Sequence, residues 1–309
     1  MGLAASLSPA SLQEHILQQE HSYRRHHFAR DVVDRVFRHG AIVGSVIHHF
    51  DCLDRGMDHA RCLIRDHEEK QLSFPSGTVI LADRLEDGRG RFGRCWHAPE
   101  GGLWLVLVLV NTLLPEISRL YPLAAGVACC EFVRRHDIDG WIKWVNDVRV
   151  NDRKLGGILT ESVVGRNSGE EYILIGMGIN VNNDRFPAEL RSIAGSMRPY
   201  LSRDLDINRA AMQLLAKLSW NIGLLHYDED RLLRGRDGVA KDDGNSRLLA
   251  RWRQLSDTVG RRVEFGFNVE EDPQYRATVL GLAEDGGLIL SLEDSGTVVE
   301  YSGEIRYLD

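Results

Sequence analysis

The chain has 309 residues, 43% of them hydrophobic and 27% charged, with a formal net charge of −7; this length suits two domains, or one large domain with an appendage, and the acidic balance argues against nonspecific nucleic-acid binding, which needs a basic face. Its longest apolar run, Leu103 to Val110, is eight residues, far short of the ~20 that a membrane helix needs, and no secretory pattern opens the chain, so a soluble cytoplasmic protein with no membrane partner is expected. Five cysteines (Cys52, Cys62, Cys95, Cys129 and Cys130) show no C-x-x-C pair, which gives no zinc spacing, suits a reducing compartment and makes each a small apolar residue.

In chain order, residues 8 to 39 predict a helix: Leu12, Ile16 and Leu17 share a face, Phe28, Val32, Val33, Val36 and Phe37 continue the period, and Gly40 stops it. His21, Arg24, Arg25, His26, His27 and Arg30 read there as a solvated face rather than metal ligands, since no second histidine lies four residues from His26 or His27. A strand at 45 to 50, a helix at 58 to 70 and a strand at 77 to 82 lead into a glycine- and arginine-rich loop, 87 to 94. A buried strand at 103 to 110 and a helix at 120 to 136 follow. Strands at 141 to 144 and 148 to 150 flank a turn at Asn146 and Asp147, and two more occupy 156 to 161 and 172 to 180. Helices lie at 207 to 226 and 247 to 256, separated by a loop at 233 to 246. From Val259 the pattern becomes five short strands divided by turns at 285 to 287 and 294 to 296, which predicts a small β-barrel.

Four clusters carry candidate chemistry. In Gly88-Arg89-Gly90-Arg91-Phe92-Gly93-Arg94-Cys95-Trp96 the glycines allow close backbone approach and the arginines offer planar forks to phosphate or carboxylate oxygens; alone, it is equally a solvated basic turn. Lys143-Trp144-Val145-Asn146-Asp147 brackets a turn with a cation and a carboxylate; alone, it reads as a hairpin. Arg153-Lys154-Leu155-Gly156-Gly157 opens a buried strand with a lysine beside two glycines, where an ammonium can offset charge on an acid and a phosphate as they react. Gly176-Met177-Gly178-Ile179-Asn180 ends a strand with an amide.

Taken together, in this order and spacing, the clusters resemble the biotin–protein ligase family, whose pattern runs G-R-G-R-x-G-R-x-W, K-W-P-N-D, K-L-x-G-I-L and G-x-G-I-N. Here Val145 replaces the proline, and Gly303-Glu304-Ile305 closes the chain as in that family. The resemblance covers residues 45 to 309. It implies an α+β fold with a class II aminoacyl-tRNA synthetase-like mixed sheet flanked by helices and an SH3-like C-terminal barrel, divided as 1–44 helical extension, 45–256 catalytic domain and 257–309 barrel. It also implies a ligase that joins a small acid, biotin by default, to AMP from ATP with Mg2+, and passes the acyl group to a lysine of a biotin carrier domain. In that scheme Arg89, Arg91 and Arg94 order the loop on Gly88, Gly90 and Gly93 over the adenylate and hold its phosphate, and Trp96 packs against the loop. Asp147 places magnesium and ATP beside Lys143 and Asn146. Lys154 contacts the acid's carboxylate and the α-phosphate, Gly156 and Gly157 leave room for the acyl tail, and Asn180 holds the nucleotide.

Two departures bear on the acid. Where the family has S-T-N, an ungapped alignment places Arg55-Gly56-Met57; where it has glutamine, this chain has Leu85. Each hydrogen bond lost to a buried ureido ring costs about 1–3 kcal/mol, so either other residues take that ring or the acid is different, with Arg55 in solvent or facing an anionic or keto group. A nucleotide-binding regulatory module and a lipoate-type ligase are the other readings. The 44 residues before the core show no winged-helix pattern, so DNA-binding repression is not expected; a homodimer is left open.

Overall fold

Leu103, Leu105, Leu107 and Leu109 alternate with Trp104, Val106 and Val108 along β3 (Leu103–Val110), and all seven are buried. Period two sends the leucines to one face and the Trp-Val-Val set to the other, so the strand is satisfied only at mid-sheet between two covering layers. The computed structural model, which describes residues 7–236, 246–293 and 296–308, places it there. β2 (Thr78–Leu85) and β7 (Glu171–Ile179) flank β3 antiparallel, within a seven-stranded sheet ordered β1 (Ile47–Leu53), β2, β3, β7, β6 (Arg153–Val164), β5 (Asp147–Val150), β4 (Trp141–Lys143). Only β1 and β2 run parallel, joined through helix α4 (Gly56–Glu69), the crossover that parallel pairing requires. On one face α4 sets Ala60 and Ile64 against Ile80, Val106 and Val108. The leucine face is covered by α6 (Tyr121–Arg134) and α7 (Ile207–Arg236). α6 is buried on all sides from Leu123 to Val133, as an internal helix must be when its sequence is apolar all round. This is the expected mixed α+β architecture.

Residues 8–39 form not one helix but α1 (Pro9–His15), a π-helical turn (Ile16–Glu20), α2 (His21–Arg25) and, after a break at 26–29, α3 (Arg30–Gly40). Phe28 in that break packs on Trp220 of α7 at 5.1 Å between ring centroids, so tertiary packing rather than glycine or proline turns the chain. Arg24 is not on a solvated face. It is buried with Glu20 (2.7 Å), Glu131 of α6 and Lys217 of α7, which itself binds Glu20 at 2.8 Å. Two cations and two carboxylates, with Arg251 reaching Glu131 at 2.8 Å, tie the N-terminal helices to the body. α3 crosses α7 closely: a Cβ on Gly40 would stand 1.8 Å from the Ser219 carbonyl, and one on Gly223 2.1 Å from that of Val36. Gly40 is therefore the contact point of two helices as well as a helix end.

α7 runs ten residues beyond the expected end; most of the expected loop at 233–246, like the turn residues 294 and 295, lies outside the described residues. A short helix α5 (Pro115–Ser118) precedes α6, and α8 (Arg247–Leu255) is capped by Ser246, whose hydroxyl accepts from Leu249 N. The five C-terminal strands are present: β8 (Arg262–Gly266), β9 (Tyr275–Leu282), β10 (Leu288–Leu292), β11 (Thr297–Glu300) and β12 (Glu304–Tyr307). They form an antiparallel sheet ordered β11-β10-β9-β8-β12, with no pair between β11 and β12 to close a barrel among the described residues. The link at 301–303 carries the chain over Phe265, where Gly303 at φ 118 leaves no room for a side chain, and so β12 joins β8 rather than folding back on β11. Cys129 and Cys130 are buried, and burial pushes the Cys130 thiol up to about 12; Cys62 and Cys95 are exposed, against the apolar expectation for every cysteine. Among the described residues no helix is long and apolar enough to cross a membrane.

Arg24→Met, which strips the buried carboxylates of their central partner, is expected to cost about 3–5 kcal/mol in urea unfolding. Burial alone would raise the Glu131 carboxyl, but Arg24, Lys217 and Arg251 hold it down to about 2 from 4.5. Its folded value lies below its unfolded one, so its contribution is complete above about pH 4.5 and is lost as the pH falls toward 2. Stability measured across that window should fall more steeply for the unsubstituted chain than for Glu131→Gln.

Candidate functional site

The site grows from an irregularity between two strands. β5 pairs with β6 as Val148↔Gly156 and then Arg149↔Lys154, so Leu155 is an extra residue on β6. A bulge of this kind shifts the alternation by one, and it turns the Lys154 side chain to the same face as Gly157 and Leu159. There the Lys154 ammonium meets the Asp147 carboxylate at 2.6 Å. Asp147 opens β5 directly after the turn that Asn146 fixes: Asn146 donates its side-chain amide to Ile158 O, and Ile158 N returns a bond to Asn146 O at 3.0 Å.

Three of the four paired residues of β6 and β7 on this face are glycine: Gly157 opposes Gly178, and Leu159 opposes Gly176. A Cβ on Gly157 would stand 3.0 Å from Lys154 Cε, one on Gly178 2.7 Å from Trp96 Nε1, and one on Gly176 3.0 Å from Met57 Sδ. The glycines thus form a trough in which Lys154, Trp96 and Met57 lie directly on the sheet. Trp96 also packs edge-on against Trp104, and its ring centre lies 5.4 Å from the Lys154 nitrogen. Its indole N–H is buried without a partner among the described residues, a donor free for a ligand.

The arginine loop is a small hairpin. Trp96 N donates to Gly88 O (2.9 Å), Gly90 N to Arg94 O (2.9 Å), and Arg89 bridges Cys95; Phe92 at φ 57 and Gly93 at φ 70 make its tip. Gly88 is required because a Cβ there would stand 2.5 Å from Trp96 O. Each arginine has a protein partner. Arg89 pairs with Asp87 at 2.7 Å, Arg91 donates to Gly303 O at 2.7 Å, and Arg94 grips Glu304 of β12 through two bonds of 2.9 and 2.8 Å and also reaches Asn268. The C-terminal sheet therefore holds the loop over the trough. Lys143 lies 5.3 Å over the Tyr307 ring, and burial lowers its pKa while Asp147 opposes that.

Every residue given a role from the sequence except Gly156 lines one cavity of about 1050 Å³, somewhat above the volume typical of a single drug-sized ligand. Gly156 sits in the ladder beneath it, against Gly178 O. Asn180 reaches the lining, but its amide is occupied, donating to Gly195 O (2.9 Å) and accepting from Asn183 (2.8 Å). Arg55 does not swing into solvent: its Nε donates to Asp87 at 2.8 Å, its other nitrogens reach Asp87 and Asp58, and Leu85 beside it is half-buried. Arg61, which bridges Asp58 and Glu161 in the cavity wall, was not legible from residue spacing, because its contact with Glu161 joins residues 100 positions apart. No group of three or more His, Cys, Asp or Glu able to hold a metal occurs among the described residues. A lone carboxylate such as Asp147 suits magnesium, which keeps waters and is carried largely by phosphate oxygens.

Residues 60–180 match the model of the biotin/lipoate A/B protein ligase family. A bifunctional ligase/repressor BirA of Bacillus subtilis is 37% identical over 145 residues, 45% of this chain and 44% of that protein. A biotin--[acetyl-CoA-carboxylase] ligase of Mycobacterium tuberculosis is 29% identical over 242 residues, 75% of this chain and 79% of that protein. The chain thus spans less than half the length of the Bacillus relatives it matches. A biotin protein ligase from Aquifex aeolicus, solved with biotin and ATP, shares the fold with a TM-score of 0.62 at 22% identity over 85% of this chain and 98% of that one.

Gly178→Ala tests the trough. The added methyl meets the Trp96 indole, so a loss of about 1–3 kcal/mol and an altered near-ultraviolet tryptophan spectrum are expected; an unchanged spectrum would mean that Trp96 does not rest on the sheet.

Proposed function

We propose that this chain, a member of the biotin/lipoate A/B protein ligase family by its residues 60–180, is an ATP-dependent ligase. It activates a small carboxylic acid, biotin by default, as the acyl-adenylate and transfers it to a lysine of a carrier domain. The observation that carries the reading is the convergence of Lys154, Asp147, Lys143 and the guanidinium groups of Arg89, Arg91 and Arg94 on one cavity from three separate stretches of chain. A regulatory module has less need for that set.

The reaction demands it. An acid oxygen attacks the α-phosphorus, the new O–P bond forms, and pyrophosphate leaves with the electrons of the broken P–O bond. Two anions must approach, and fixed positive charge offsets their repulsion. Lys154 stands where both would meet; Arg89, Arg91 and Arg94 close over the phosphate once they exchange their present partners, and Asp147 with Lys143 and Asn146 orients the nucleotide end. Asp147 would hold a magnesium ion, which would supply further charge neutralisation. Asn180 shapes the floor through Gly195 and Asn183. Trp96 and the glycines at 88, 90, 93, 156 and 157 give the backbone approach and the water exclusion that protect the adenylate. We assign residues 45–256 to catalysis, 257–309 to a domain completing the loop, and 1–44 to an extension welded to the body.

At the acid's far end a second reading has support. Arg55, Gly56 and Leu85 supply neither hydroxyl nor amide, and Arg55 is committed to Asp87 and Asp58, so an acid other than biotin is the alternative.

Acid-dependent exchange of labelled pyrophosphate into ATP decides among these. Exchange with biotin supports the default acid; exchange with another acid alone supports the second reading. Silence from folded protein with biotin, lipoate and a panel of short acids would sink the ligase. Lys154→Gln should lower exchange by about 100-fold or more with an unchanged circular dichroism spectrum.

A further inference from the structure

The segment after β7 returns across the start of β6 and clamps the catalytic lysine's backbone: Lys154 N donates to Ile193 O (2.8 Å), and Gly195 N donates to Lys154 O (2.9 Å). The inner side of this segment, with Phe186, Leu190 and Ile193, forms part of the cavity wall. Its outer side forms a second cleft of about 510 Å³, lined by Arg153, Asp184, Arg185, Phe186 and Arg191. Phe186 belongs to both, so its side chain is common to the cleft and the cavity.

Three guanidinium groups face a single carboxylate in this cleft, in a chain whose net charge is −7. Arg153 and Arg185 have no side-chain hydrogen bond or ion pair among the described residues, and Arg191 donates only to Phe186 O at 3.1 Å. All three are exposed. Among them lies the half-buried ring of Phe186. An acidic protein is repelled by most of this molecule and drawn to this rim. An aromatic ring among arginines is the composition of a protein-docking face rather than of a small-anion site.

Resting on the ligase reading above, we propose that the 184–193 rim with Arg153 docks the acceptor protein, and that the acceptor carries carboxylates around its target lysine. The pairing serves chemistry as well as affinity. Neighbouring carboxylates hold a lysine in its ammonium form; engaging them with arginines removes that field and favours loss of a proton to solvent. The neutral amine then attacks the acyl carbonyl, the C–N bond forms, the bond from carbonyl carbon to phosphate oxygen breaks, AMP departs with that electron pair, and the amine's remaining extra proton passes to solvent.

The test compares the unsubstituted chain with the double variant Arg185→Glu, Arg191→Glu, neither residue belonging to the machinery described above. Acid-dependent pyrophosphate exchange and single-turnover transfer from preformed adenylate to a recombinant biotinyl carrier domain are measured in parallel. Exchange should stay within about twofold, while transfer falls about tenfold or more at low ionic strength, with the gap closing as salt screens the rim. The Arg185→Lys, Arg191→Lys pair should retain transfer. Unchanged transfer would overturn the docking surface, and so would an equal loss in both reactions, which would make the cleft a phosphate site. Absence of exchange in the unsubstituted chain would overturn the ligase reading itself, and this docking with it.

Discussion

The 2.6 Å contact between the Lys154 ammonium and the Asp147 carboxylate is the point on which the rest of the site depends. Neither group is deeply buried, so the pair is a weak source of stability. Its value is positional. A cation already held against one anion at the end of a rigid strand needs little rearrangement to face two others. The bulge at Leu155 turns the lysine to the right face, the Gly157–Gly178 and Leu159–Gly176 pairs clear the sheet beneath it, and the backbone of 193–195 clamps it from the open side.

The appendages at the two ends of the chain act differently on this centre. The C-terminal sheet contributes Gly303 and Glu304, which hold Arg91 and Arg94 above the trough. Those guanidinium groups thereby line the cavity without being free, and a ligand that takes Arg94 must compete with Glu304 for it. The N-terminal helices touch none of this. Their buried quartet of Glu20, Arg24, Glu131 and Lys217 fixes them to α6 and α7 on the far face of the sheet. They bear on the site through the rigidity of the layer behind it.

What the sequence disclosed was local and periodic. The β3 run, the glycine pairs and the lysine and aspartate at strand ends follow from residue spacing, and the sheet assembled them as that spacing implied. What escaped was set by distance along the chain or by backbone detail. The helical period across 8–39 continues smoothly, and only Phe28 meeting Trp220 reveals the break. Arg24 looks like any surface arginine until Glu131, 107 positions away, is beside it. Asp87 as the partner of Arg55 and Glu161 as the partner of Arg61 are likewise invisible to local pattern. The five C-terminal strands were legible because each is short and bounded by turns, whereas the open edge between β11 and β12 depends on three residues crossing Phe265.

Calorimetric titration with a non-hydrolysable biotinyl-adenylate analogue tests the central claim most directly, because that ligand presents the joined acid and phosphate at once. Affinity in the nanomolar range, falling by two orders of magnitude or more when Lys154 becomes glutamine, is the result expected of a pocket built to hold the two groups together (about 2.7 kcal/mol for a hundredfold). Equal affinity with and without the lysine charge would contradict it.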